Sequence, residues 1–230
     1  MNWQQTVTNL LKKAEDPATT REERESLSVK AAYLMAKYGI TTLLNQPADT
    51  PLNVVNVELG LGAPYAKLRA TLIHRTALAF GCKAVRSGSK IRVFGLQADI
   101  DNFTQMYVSL WIQALFALAI SEKPEWVHGK THNHSYLLGF IDEVTTRVAA
   151  STRKAAQDAD SPTVSTALVF AKRATSIDAA VSLIYPSLRK GTASRATSRE
   201  SYASGAREGR RADINQPRMG GSHISRPSLT

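Results

Sequence analysis

One cysteine, Cys82, stands in a chain of 230 residues. An internal disulfide is therefore excluded, and with it the stapled scaffold of a small secreted domain; a reducing compartment fits. A long apolar run is missing too. The longest, residues 106–120, is interrupted by Ser109 and Gln113 and falls short of the roughly 20 residues that a membrane helix needs. The opening MNWQQTVTNLLKKAED lacks the basic start and apolar stretch of a secretory leader, so neither export nor a membrane is expected. No HExxH pair occurs. Gly60 and Gly62 lie between a strand pattern and a helix pattern, as in a dinucleotide loop, but the third glycine and the later acid are absent; they read as a turn. The sequence names no reaction.

What is present is an ordinary globular composition with its charge in one place. Hydrophobic residues make up 43% and charged residues 21% of the chain, enough apolar material for a substantial core. The formal net charge is +10. Residues 1–50 are balanced, whereas residues 189–230 carry eight Arg and one Lys against Glu200, Glu208 and Asp213. A basic, aromatic-poor tail of this kind suits a polyanion, because each phosphate contact releases condensed counterions. The arginine fork pairs bidentately with phosphate and equally with carboxylate, so an acidic protein surface is the competing partner.

The chain begins with two helix patterns. Trp3, Val7, Leu10, Leu11 and Ala14 share one helical face, and Leu27, Ala31, Leu34, Met35 and Tyr38 repeat the same spacing. Pro17 breaks the first, Thr20 with Glu23 forms a capping box for the second, and Gly39 closes it. Helices joined so briefly pack antiparallel, with Leu34 and Met35 buried against Leu10 or Leu11. Residues 46–51 read as a linker. Val55, Val57 and Leu59 then alternate with polar neighbours as a half-buried strand does. A helix follows over 65–80, closed by Gly81, then short strands at 82–86 and 90–94 joined through Gly88. Residues 97–121 form a long helix, apolar nearly all round from Met106 and so expected as the central buried element. A polar loop at 122–133, a helix over 135–156, a strand at 167–171 and a last core helix over 176–188 complete the core. Residues 198–212 could continue as a helix, which Gly205 and Gly209 weaken.

The stretch LLKKAEDPATTREERESLSVKAAYLMAKYGI carries a resemblance. Its ending, Ala32-Tyr33-Leu34-Met35-Ala36-Lys37-Tyr38-Gly39-Ile40, is similar to the Ala-x-x-Leu-Met-x-Lys-Tyr-Gly-Ile ending of domain of unknown function 2786, with the alanine offset by one. That family is found in bacterial and bacteriophage proteins. The Leu137-Leu138-Gly139-Phe140 segment and the late Tyr-x-x-Gly-x-x-x-Gly stretch at Tyr202, Gly205 and Gly209 also resemble its layout. The family has no established activity, so the resemblance implies a layout and no mechanism.

Few side chains suggest chemistry. His128, His132 and His134 lie within seven residues of the expected loop and are the only metal-ligand candidates, without a fourth ligand at a recognised spacing. Asp99 and Asp101 open a helix, where acids suit the macrodipole. Asp142 and Glu143 point about 100 degrees apart on a helix, and Glu143 with Arg147 reads as an i,i+4 ion pair. Cys82 reads as a small buried residue. In the tail, Ser201, Gly205 and Gly209 form a smooth edge that another helix or a flat surface could approach, beside Arg207, Arg210 and Arg211.

These observations give an α+β (or mixed α/β) expectation: a helical hairpin over 1–45, a core domain over 46–190 and a basic, partly disordered tail over 191–230. The core is a small mixed sheet of three or four strands against the long helix. The function expected is that of a non-enzymatic binding protein of the cytoplasm, or of a virion if phage-encoded, without a cofactor. Arg195, Arg199, Arg207, Arg210, Arg211 and Arg218 would engage nucleic acid with weak sequence preference. A structural component whose tail binds an acidic protein is the alternative, and a metal-dependent hydrolase using the histidines is the third.

Overall fold

The computed structural model describes residues 52–158, 166–189, 191–212 and 214. The hairpin expected over 1–45, the linker at 46–51 and Arg218 lie outside the described residues. Strand β1 (Val54–Gly60) alternates as its sequence requires, with Val55, Val57 and Leu59 turned to the core and Asn56 and Glu58 to solvent. β2 (Lys83–Ser87) and β3 (Lys90–Leu96) form a hairpin over Gly88 and Ser89, where Gly88 takes the positive φ that so short a turn needs. β1 pairs with the other side of β3, Val54 opposite Leu96 and Gly60 opposite Lys90. The order is β1-β3-β2, antiparallel throughout, so the expected mixed sheet is corrected. Glu58 spans the first pair, meeting Lys90 at 2.6 Å and Arg92 at 2.8 Å.

Among the described residues, five helices complete an α+β fold: α1 (Ala66–Ala79), α2 (Gln97–Ala119), α3 (Gly129–Asp158), α4 (Thr166–Ile184) and α5 (Arg199–Arg211). Because side chains alternate along β3, its two faces feed two cores. Ile91 and Val93 join Leu72, Ile73, Phe103, Leu110, Leu137 and Ile141 in the main core with α1, α2 and α3. Phe94 faces the other way and meets Val85, with Ile177 and Val181 of α4.

Three expectations fail here for identifiable reasons. The strand expected at 167–171 belongs to α4: Arg173, Ile177 and Val181 fall on one helical face and are all buried, and that spacing overrides the local β preference of Val169 and Phe170. Helix α3 begins at Gly129, so His132 and His134 sit on a helix instead of a loop, and His132 N–H already donates to the His128 carbonyl at 2.9 Å. Helix α2 is not buried all round. Ile100, Phe103, Tyr107, Leu110 and Ala114 face the core, whereas Val108, Ile112, Leu115, Phe116 and Ile120 are exposed.

Candidate functional site

Helix α5 holds the arginines singled out in the sequence, and its position follows from its smallest residues. Ser201, Gly205 and Gly209 recur every fourth residue, so they line one edge, and all three are buried. They lie on α3, whose own small residues Ser135 and Gly139 are buried opposite. A Cβ built on Gly205 would overlap the Tyr136 carbonyl oxygen and lie 2.7 Å from its carbon. One on Gly139 would overlap the Tyr202 carbonyl, and one on Gly209 would lie 2.8 Å from both Glu143 Cβ and the Phe140 carbonyl oxygen. Backbone touches backbone along this seam. An alanine would raise intrinsic helix propensity there, but the collision outweighs that gain, so the two glycines that weaken the helix in isolation allow it to dock.

Polar groups pin both ends of the seam. At the start of α5, Ser198 Oγ accepts from Ser201 N–H at 3.3 Å, and Ser135 Oγ accepts from the N–H groups of Thr197 and Ser198 at 3.1 and 3.0 Å. His132, 2% exposed, lies 3.0 Å from Ser201 Oγ through Nδ1 and 3.0 Å from Ser121 Oγ through Nε2. Burial, aided by the charge of Lys123, holds its pKa below the usual histidine value, so the neutral ring is favoured. At the other end, Arg147 donates through Nη1 to the carbonyls of Gly209 and Ala212, each at 2.8 Å. These are the carbonyls a helix end leaves without partners. The expected Glu143–Arg147 pair is therefore replaced: Arg147 caps α5, and Glu143 meets Arg210 at 3.3 Å. In the middle, Tyr202 donates to Asp142 Oδ2 at 2.8 Å, and Arg75 of α1 pairs with the same carboxylate.

With the small edge turned inward, the opposite face of α5 must carry Arg199, Arg207, Arg210 and Arg211, at 100 degrees per residue. All four are exposed, as is Arg195 just before the helix. Arg210 and Arg211 keep surface partners, Glu143 and, at 2.9 Å, Glu208. Such pairs contribute about 0–1 kcal/mol and exchange readily for another anion. Among the described residues, Arg195, Arg199 and Arg207 have no carboxylate within ion-pair distance; Arg207 donates only to Ser204 Oγ, at 2.8 Å.

The three histidines do not converge. His132 is spent on the seam, His134 Nε2 lies 3.2 Å from the Arg195 carbonyl oxygen, and His128 Nδ1 accepts from the Lys130 N–H at 3.3 Å. Among the described residues no group of three or more His, Cys, Asp or Glu side chains could hold a metal ion.

Sequence reading missed a buried ion pair. Asp99 lies in the first turn of α2, as expected of a helix-opening acid, but its carboxylate meets the Arg173 guanidinium of α4 at 2.6 Å. Arg173, whose side chain is 7% exposed, also donates to the Phe80 carbonyl. Gly81, at a φ of +69, ends α1 so close to this guanidinium that a Cβ would sit 2.5 Å from Nη2. The pair borders a cavity of about 560 Å3, walled by Leu78, Phe80, Phe170 and Ile177. Burial pushes the Asp99 carboxyl up to about 6 against the opposing pull of Arg173. It pushes the Cys82 thiol up to about 12, with Asp99 adding to the effect, so Cys82 is no nucleophile near neutral pH. No sequence spacing links Asp99 to Arg173, because their contact is made only when α4 covers the sheet.

Residues 4–42 match the family described as Protein of unknown function (DUF2786). This is the stretch on which the resemblance was read. No curated protein and no solved structure matches the chain. No helix among the described residues is long and apolar enough to cross a membrane.

Proposed function

We propose that this protein is a non-enzymatic binder of nucleic acid, engaging the phosphate backbone through the outward face of α5 with weak sequence preference. The observation that carries the reading is the set of arginines at 199, 207, 210 and 211, all exposed on one face of a helix fixed along its opposite edge. Because the helix is already docked, binding need not order its backbone, and the arginine forks suit phosphate oxygens. The alternative, a structural component whose tail binds an acidic protein, draws on the same arginines; an approach of any partner along the small-residue edge is disfavoured because α3 occupies that edge. The cytoplasm, or the virion if the protein is phage-encoded, is the proposed setting, and the single buried cysteine fits a reducing compartment.

The test is binding of a generic duplex across a salt series. Neutralisation of about four to six phosphates gives a log–log slope of roughly −4 to −5. Changing Arg207, Arg210 and Arg211 together to Gln flattens that slope by up to about three contacts and weakens all sequences alike. Absence of duplex binding at low salt overturns the proposal; binding of an acidic protein in its place assigns the arginines to that partner.

A further inference from the structure

The exposed face of α2 is unlike the rest of the surface. Val108, Ile112, Leu115, Phe116 and Ala119 fall at i, i+4, i+7, i+8 and i+11, and all are exposed, Phe116 at 64%; Ile120, 68% exposed, extends the stripe by one position. Between Met106 and Ile120 there is no charged residue, so neither a polyanion nor an acidic surface suits this face. A contiguous apolar stripe more than three turns long requires cover.

The same chain supplies a matching surface. Trp3, Val7, Leu10, Leu11 and Ala14 have this i, i+4, i+7, i+8, i+11 spacing, and so do Leu27, Ala31, Leu34, Met35 and Tyr38. Helical stretches of about 12 residues are marginal in isolation, and below about 40 residues a unit rarely stabilises itself without help. The two N-terminal stretches thus need a third surface, and α2 has one to offer. Connectivity allows it. Val54 pairs with Leu96, the residue before α2. The chain from Ile40 to Val54 can span up to roughly 45–50 Å, whereas the stripe begins about 17 Å and ends about 35 Å along the helix. Tethering also favours this occupant over a second copy, since a short covalent link raises the effective concentration to order millimolar.

We propose that the outward face of α2 is the docking site of this chain's own residues 3–38, the three stripes closing into one apolar seam. The proposal is independent of the nucleic-acid reading. It explains why α2 is apolar on the side that the described residues leave open.

Hydrogen exchange on the full chain tests it, with the amides of 27–38 as the readout and those of 136–148 in α3 as the control for global folding. The expected result is protection over 27–38 in the unaltered chain, lost by about tenfold or more in Phe116→Asp and preserved in Phe116→Leu, while α3 is unchanged. Should Phe116→Asp disturb α3 as well, Ile112→Ser provides the same comparison with a milder change. Absence of protection over 27–38 in the unaltered chain overturns the proposal. So does protection that survives both polar substitutions. Conversion of a dimer to a monomer by Phe116→Asp, with 27–38 unaffected, assigns the face to a second copy and overturns it equally.

Discussion

Helices α5 and α2 are each buried in a way that their compositions do not suggest. α5 is polar, rich in arginine and carries two glycines, yet its inner edge touches α3 backbone to backbone. α2 is apolar nearly all round from Met106, yet Val108, Ile112, Leu115 and Phe116 are open among the described residues. Hydrophobicity measures how much surface seeks cover. How closely two helices approach depends instead on the size of the side chains between them, and an edge of Ser and Gly allows a contact that leucine cannot make. Polar residues then finish what the small ones begin: Ser135 and His132 at one end of α5, Arg147 at the other.

The comparison can be broken first on the covered side of α2. Leu110 is fully buried, so Leu110→Ala should cost about 2–5 kcal/mol through lost transfer energy and the cavity left behind, read as a lower urea midpoint at unchanged slope. On α5 the sign of a substitution discriminates. Helix propensity alone makes Gly205→Ala stabilising by up to about 1 kcal/mol. The overlap with the Tyr136 carbonyl makes it destabilising by about 1–3 kcal/mol. Thermal melts decide, and a raised midpoint would mean that the seam is looser than described.

The smallest effect belongs to His132 and fades in acid. Its pKa in the fold lies below the ordinary value of 6.5 because burial disfavours the charged ring. The unfolded chain therefore binds the proton more tightly. The stability that His132 contributes is complete above that ordinary value and is lost as pH falls through the lowered one. Asp99 has the opposite sign: with its carboxyl raised from 3.8 to about 6, the folded state takes up a proton first and gains as pH falls between these values. Comparison of the unaltered chain with His132→Asn cancels the Asp99 contribution. The stability gap between the two should narrow from about pH 7.5 to about pH 5; a constant gap would show that His132 does not lose its neutral-ring contacts in this range.

Much of the fold was legible from periodicity. The alternation of β1, the hairpin about Gly88 and the helices α1 and α2 all follow from apolar spacing and turn glycines. The α4 segment was misread because Val169 and Phe170 favour a strand locally, and only packing of Ile177 and Val181 on Phe94 and Val85 decides for helix. Of the site, the arginines and the small edge of α5 were visible, and so was the option that another helix could approach that edge. The identity of that helix was not.

The sequence by itself determined where the positive charge is concentrated, which residues could form helix faces, and that one edge of α5 is small. These are local properties, set by residue type and by spacings of two and 3.6. Only the tertiary structure decided that the small edge lies on α3 and sends the arginines outward, that Arg147 caps α5 instead of pairing with Glu143, and that Asp99 meets Arg173. Each of these joins residues tens of positions apart. The physical reason is that a contact across such a separation exists only once whole elements have packed, and a side chain's final partner is whichever group that packing brings within reach.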